Sequence, residues 1–149
     1  EAQKTSDLAL KRLINGALAR TTATCILIGS NTFKRRWVKY EIFKSLEKGN
    51  GLLGVHINKI KGKDQQIKSL GQNPFEWLGI KVSSNGKTVT PVEYDGWFSW
   101  NNCTDVAAFT LATPMAYKFW SKTVKLSDLF PVYCWIDDDG YNNFSNWIN

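Results

Sequence analysis

Thr24-Cys25-Ile26-Leu27-Ile28-Gly29-Ser30 and Leu52-Leu53-Gly54-Val55-His56-Ile57 are the two stretches on which the fold turns. Each is a short, continuous apolar run containing β-branched residues, the pattern of a strand buried on both faces and so of a parallel sheet. Between them, Lys34 to Lys48 sets Val38, Ile42, Ser45 and Leu46 on one helical face and stops at Gly49-Asn50-Gly51. Ahead of them, Leu10, Leu13, Ile14, Ala17 and Leu18 fall at i, i+3, i+4, i+7 and i+8, an amphipathic helix for which Ser6 is the expected N-cap. Helix, strand, helix, strand with short connections is the βαβ signature. The expected fold class is α/β, a doubly wound, mainly parallel sheet with helices on both faces.

Past Asn58 the pattern loosens. A Lys-rich polar stretch to Ser69 reads as a surface excursion that docks again through Phe75, Trp77 and Leu78. Asn85-Gly86 between Ile80-Lys81-Val82 and Thr88-Val89-Thr90 signals a type I′ hairpin, expected at a sheet edge. Val106 to Trp120 has mixed helical character interrupted by Pro114. Pro131-Val132-Tyr133-Cys134-Trp135-Ile136 reads as a last buried strand, and Asp137-Asp138-Asp139-Gly140 as a turn into a helix beginning near Asn142 or Asn143. That acidic run lacks the ligand spacing and distal Glu of a calcium loop, so no metal site is expected. Residues 1–149 read as a single domain. Because such folds normally open on a central strand and this sequence opens on a helix, the N-terminal strand is expected to be missing.

The composition, 43% hydrophobic and 21% charged, is that of a globular protein, and its apolar runs are far too short to span a membrane. No signal-peptide pattern opens the chain, so a cytoplasmic location is expected. Cys25, Cys103 and Cys134 form an odd set without CxxC spacing and are expected to be reduced core thiols. The charge is uneven. Residues 1–75 carry 14 Lys and Arg against 5 Asp and Glu, the rest 5 against 8, giving the net +6. A basic half can attract nucleic acid, anionic lipid or a phosphorylated small molecule, or can simply be a solvated face, and charge alone does not choose among them. Helix-turn-helix, RNP-like and zinc-ligand patterns are all lacking, so nucleic acid is not the expected partner.

In open α/β sheets ligands gather at the carboxyl ends of the strands. The first strand leads through Ser30-Asn31-Thr32-Phe33 into a helix carrying Trp37 and Glu41, four residues apart and so on one face, about 6 Å apart along the axis. On physical grounds alone that pair has a plain alternative: Glu41 can pair with Lys44, and Trp37 can simply pack on the sheet. The strand ending in Ser30 followed by Trp37-Val38-Lys39-Tyr40-Glu41 resembles the TIR-domain pattern of a hydrophobic strand and W-x-x-x-E. In detail, Arg35 to Ile42, Lys48-Gly49-Asn50, Leu52 to Ile57, and Asn73-Pro74-Phe75 with Leu78-Gly79 are similar to the TIR-like subunit of the Thoeris antiphage system. The resemblance covers Ser6 to Gly79, and residues 80–149 are expected to be a family-specific elaboration.

That resemblance implies a flavodoxin-like TIR fold and cleavage of NAD with release of nicotinamide, often with cyclisation to an ADP-ribose isomer that signals infection to a partner effector protein. It implies Glu41 as the catalytic carboxylate, Trp37, Ser30 and Asn31 as substrate-binding residues, and assembly into a homo-oligomer on activation. NAD enters as substrate, and no cofactor is expected. The competing function is a non-catalytic TIR-like interaction module.

Overall fold

The computed structural model describes residues 2–149. In chain order the elements are α1 (Ala2–Leu18), β1 (Ala23–Ile28), α2 (Arg36–Lys48), β2 (Gly51–His56), α3 (Pro74–Trp77), β3 (Leu78–Val82), β4 (Thr88–Tyr94), β5 (Trp100–Asn102), β6 (Phe109–Thr110), β7 (Thr123–Lys125), β8 (Val132–Cys134) and α4 (Gly140–Trp147). β1, β2 and β8 form a parallel sheet in that order. Its register aligns Ile26 with Gly54 and Val132 on one face, and Leu27 with Val55 and Tyr133 on the other. α2 covers the first face, where Ser45 Oγ meets Thr24 Oγ1 at 2.9 Å. On the opposite face the α4 ring of Trp147 stacks on Tyr133 with centroids 4.2 Å apart. The expected α/β sheet with helices on both faces is therefore present.

Gly54 explains how tightly α3 presses onto this sheet. A Cβ there would lie 2.8 Å from Ile28 Cδ1, 3.0 Å from Val132 Cγ2 and 3.5 Å from Phe75 Cε2, so the bare backbone is the floor on which Phe75 rests. Phe75 is fully buried in the one turn of α3, whose N-cap Asn73 accepts a hydrogen bond from Phe75 N at 2.9 Å. That turn launches β3 into a second, antiparallel sheet of order β5-β4-β3-β7, with β6 also on β4. Ile26, Ile42, Phe43 and Phe75 share one apolar cluster with Ile80, Val89 and Leu126, so the two sheets enclose a common core.

Several expectations are corrected. α1 begins at Ala2, which leaves Ser6 inside the helix and exposed rather than at its cap, and Leu13 is 68% exposed because only Leu10, Ile14 and Leu18 turn inward. β1 is buried on one face only, with Leu27 57% exposed and Cys25 half-buried. The three thiols are free, yet each is half-buried rather than deep in the core. α2 starts at Arg36, after a 3-10 turn over Thr32–Lys34.

The β3–β4 hairpin lies in the centre of its sheet, since β7 flanks β3 and both β5 and β6 flank β4. Pro91 is tolerated there because it falls between the β6 pairing at Thr88–Val89 and the β5 pairing at Val92–Tyr94. In its turn only Gly86 has positive φ, at +71°, whereas type I′ needs it at both central residues, so the turn is a longer one. Val106 to Trp120 forms β6 and a 3-10 turn instead of a helix. Leu111 N and Met115 N donate to Lys87 O and Gly86 O, so the hairpin tip satisfies backbone groups that a helix would otherwise pair internally. α4 begins at Gly140, two or three residues before the expected start.

Candidate active site on α2

The position of α2 is fixed at both ends. At its C-terminus Gly49 adopts φ +84°, Gly49 N donates to Leu46 O and Asn50 N to Ser45 O, both at 3.0 Å, the two bonds of a Schellman cap. Asn50, buried, then donates from Nδ2 to Thr21 Oγ1 at 2.8 Å and Thr24 Oγ1 at 3.1 Å. With the Ser45 bond, these tie the end of α2 to the start of β1. Lys48-Gly49-Asn50 is thus a structural latch. At the other end Arg36 bridges three segments, donating to Asp105 at 2.7 and 2.6 Å and to Asp7 of α1 at 2.9 Å. Its guanidinium also lies 4.6 Å from the centroid of Trp37.

Helical spacing then sorts the side chains of α2. Tyr40 and Lys44 face α1, with Tyr40 Oη donating to Asn15 Oδ1 at 3.3 Å, while Val38, Ile42 and Ser45 face the sheet. Trp37 and Glu41 occupy the ridge between these two faces. Trp37 is half-buried against the core, edge-on to Tyr40 at 5.7 Å. Glu41 is half-buried, and its carboxylate makes no hydrogen bond or ion pair among the described residues. The simple alternative, pairing with Lys44, is not what forms, because Lys44 Nζ lies 2.6 Å from Glu47 Oε2 instead. Burial without a partner raises the Glu41 carboxyl above its ordinary pKa. The Glu41 carboxylate therefore contributes no hydrogen bond or ion pair to the fold among the described residues.

Ser30 and Asn31 lie in the loop from β1 to α2, ahead of the helix that carries Glu41. Ser30 Oγ donates to Ser69 O at 2.9 Å and lies on the rim of a cleft of about 280 Å³ between the carboxyl ends of β1 and β2 and the segment 59–70. Asn31 is exposed and its side chain caps nothing. The structure thus sets Trp37 and Glu41 on one ridge of α2, and Ser30 apart from them on the rim of this cleft. His56, at the end of β2, has a buried Nδ1 with no partner among the described residues, and burial lowers its pKa, so the ring is neutral at physiological pH. Asn58, buried beside the cleft with Oδ1 unpartnered, belongs to none of the sequence motifs. Its place just past the end of the second parallel strand is the signal that points to it.

Comparison with known proteins decides the family. A profile described as "Thoeris protein ThsB, TIR-like domain" matches residues 1–62. A protein of Bacillus cereus (strain MSX-D12), named "Putative cyclic ADP-D-ribose synthase ThsB1", is 50% identical over 149 residues, covering 100% of this chain and 77% of the relative. The chain belongs to the ThsB TIR-like family. Because the similarity to this ThsB relative runs the full length of the chain, it includes the antiparallel sheet and α4 as well as the segment the profile matches. Among the described residues no group of three or more His, Cys, Asp or Glu side chains is placed to hold a metal, and no helix is long and apolar enough to cross a membrane.

In this ThsB-family chain Gly71 packs directly against the start of the β1–α2 loop. A Cβ at Gly71 would lie 1.9 Å from Gly29 O and 3.1 Å from Ser30 Cα, both backbone atoms that cannot swing aside. Gly71→Ala is therefore expected to lower the melting temperature and displace the Ser30 loop. Thermal unfolding monitored by circular dichroism checks this, and an unchanged melting temperature would show that the contact is not needed.

Proposed function

We propose that this protein cleaves NAD at the bond between nicotinamide and ribose and closes the remaining ADP-ribose into a cyclic isomer, a signal in antiphage defence. The observation that carries the proposal is Glu41, a half-buried carboxylate left without a protein partner on the same helix face as Trp37. The synthase name of the 50% identical relative supports the same chemistry.

The reaction suits one carboxylate. Nicotinamide leaves C1′ with the electron pair of the C–N bond, turning from pyridinium cation to neutral base, so no acid has to protonate it. What remains is to stabilise the oxocarbenium-like ribose, and Glu41 does so by charge and by accepting hydrogen bonds from the ribose hydroxyls. A hydroxyl or ring nitrogen of the same ADP-ribose then attacks C1′, and the cyclic product and one proton depart. Trp37 walls the ribose, Ser30 and Asn31 line the approach, and no cofactor takes part. The protein works in the cytoplasm, assembles with itself on activation, and reaches its effector protein through the nucleotide product.

The test is incubation of the protein with NAD, with nicotinamide and the nucleotide products resolved chromatographically. Nicotinamide together with a cyclic isomer of ADP-ribose is the expected outcome. Folded protein that self-associates but releases no nicotinamide at any NAD concentration would make it an assembly module instead.

A further inference from the structure

The segment 59–70 closes over the carboxyl ends of β1 and β2 as a strap pinned at its base. Lys68 N donates to Asn58 O at 2.8 Å, Ser30 Oγ holds Ser69 O, and Gly71 packs backbone to backbone on Gly29. Beneath it lies the cleft of about 280 Å³, walled by Gly29, Ile57 and Ile60 and rimmed by Lys61 and Lys68. Lys68 is paired with Asp64, whereas Lys61 has no such partner among the described residues. Asn58 lines the cleft, is only 7% exposed, and leaves Oδ1 without a hydrogen bond. A buried acceptor without a donor is costly in a native structure and marks a place that a ligand completes. The single bond of its amide, Nδ2 to Lys68 O, is 3.4 Å long and weak enough to yield as the amide turns toward the cleft.

The chemistry of the walls defines the ligand: a flat, largely apolar body to lie against Ile57 and Ile60, an N–H donor for Asn58 Oδ1, and an anion for Lys61 at the rim. We propose that this cleft binds an adenine nucleotide, its exocyclic amine on Asn58 and its phosphate at Lys61, as the adenosine half of the dinucleotide substrate. The assignment rests on the NAD-cleaving role above. Ser30, at the cleft rim, opens the β1–α2 loop that leads into the helix carrying Glu41.

Titration calorimetry of the protein with AMP and with IMP tests it without any turnover. AMP is expected to bind roughly tenfold or more tightly than IMP, which presents an oxygen in place of the amine. Asn58→Ser should erase that preference. Because Asn58 is buried, Lys61→Glu on the exposed rim is the second variant; it should weaken AMP several-fold with an unchanged melting temperature. AMP should also raise the KM for NAD without changing kcat. Equal binding of AMP and IMP, AMP binding untouched by both variants, AMP binding that leaves the KM for NAD unchanged, or no AMP binding by folded protein would each overturn the assignment. Failure there alongside Glu41-dependent NAD cleavage removes the subsite and keeps the function. Amine-selective AMP binding by a protein that cleaves no NAD removes the function and keeps a nucleotide site.

Discussion

Glu41→Gln is expected to release nicotinamide from NAD about 10² to 10³-fold more slowly than the parent protein, the usual scale for removing one preorganised electrostatic group. The same variant should be at least as stable as the parent at neutral pH. Burial raises the folded-state pKa of Glu41, so the folded protein holds this proton more tightly than the unfolded chain does. Stability therefore falls as pH rises from the unfolded glutamate value of about 4.3 through the raised folded value. A neutral amide at this position carries no such penalty, so the stability gain of the variant should be present at neutral pH and vanish in acid. For the parent, the acid limb of the rate profile should lie above the ordinary carboxylate range, since the carboxylate must be ionised to act. Urea unfolding at pH 7 and pH 4 and nicotinamide release across pH check these outcomes. A folded variant that keeps its rate would remove Glu41 from the chemistry.

Phe75→Ala should cost about 3 to 5 kcal/mol of unfolding free energy, the range for emptying a large aromatic site in a core. Phe75 is fully buried, rests on the Gly54 backbone of the parallel sheet, and its ring meets Phe130 at 6.0 Å. It sits in the single turn that hands the chain from one sheet to the other, so neither sheet can close over the void without moving α3. Denaturant unfolding read by circular dichroism measures the loss. A cost below about 1 kcal/mol would mean that the two sheets are held together elsewhere.

What can be read from the sequence is what depends on near neighbours in the chain. β1, α2 and β2 are legible because their periodicity and the Gly49 stop act within a few residues. The β3–β4 hairpin is legible as a pair but not in its place, because its flanking strands β5, β6 and β7 come from residues 100–125. The Val106 to Trp120 stretch misleads because its backbone bonds go to Lys87 and Gly86, a tertiary choice no local pattern records. The site divides likewise. The spacing of Trp37 and Glu41 is local, but Lys44 has a carboxylate three residues away on either side, Glu41 and Glu47, and spacing alone does not say that it takes Glu47 and leaves Glu41 alone. Asn58 acquires meaning only when a strap ten residues further on folds back over it.

The two ends of α2 are held by unlike means, and dissolved salt acts on only one of them. Ser45 and Asn50 anchor the C-terminal end through buried hydrogen bonds that dissolved ions do not reach. Arg36 holds the N-terminal end through ion pairs whose guanidinium is 46% exposed, and salt screens such pairs. Rising ionic strength therefore weakens the polar ties at the Trp37 end and leaves those at the far end untouched. Glu41 lies between the two, on a stretch of α2 that the buried Tyr40, Ile42 and Phe43 also hold to the core, so salt reaches the polar frame around the carboxylate from one side only.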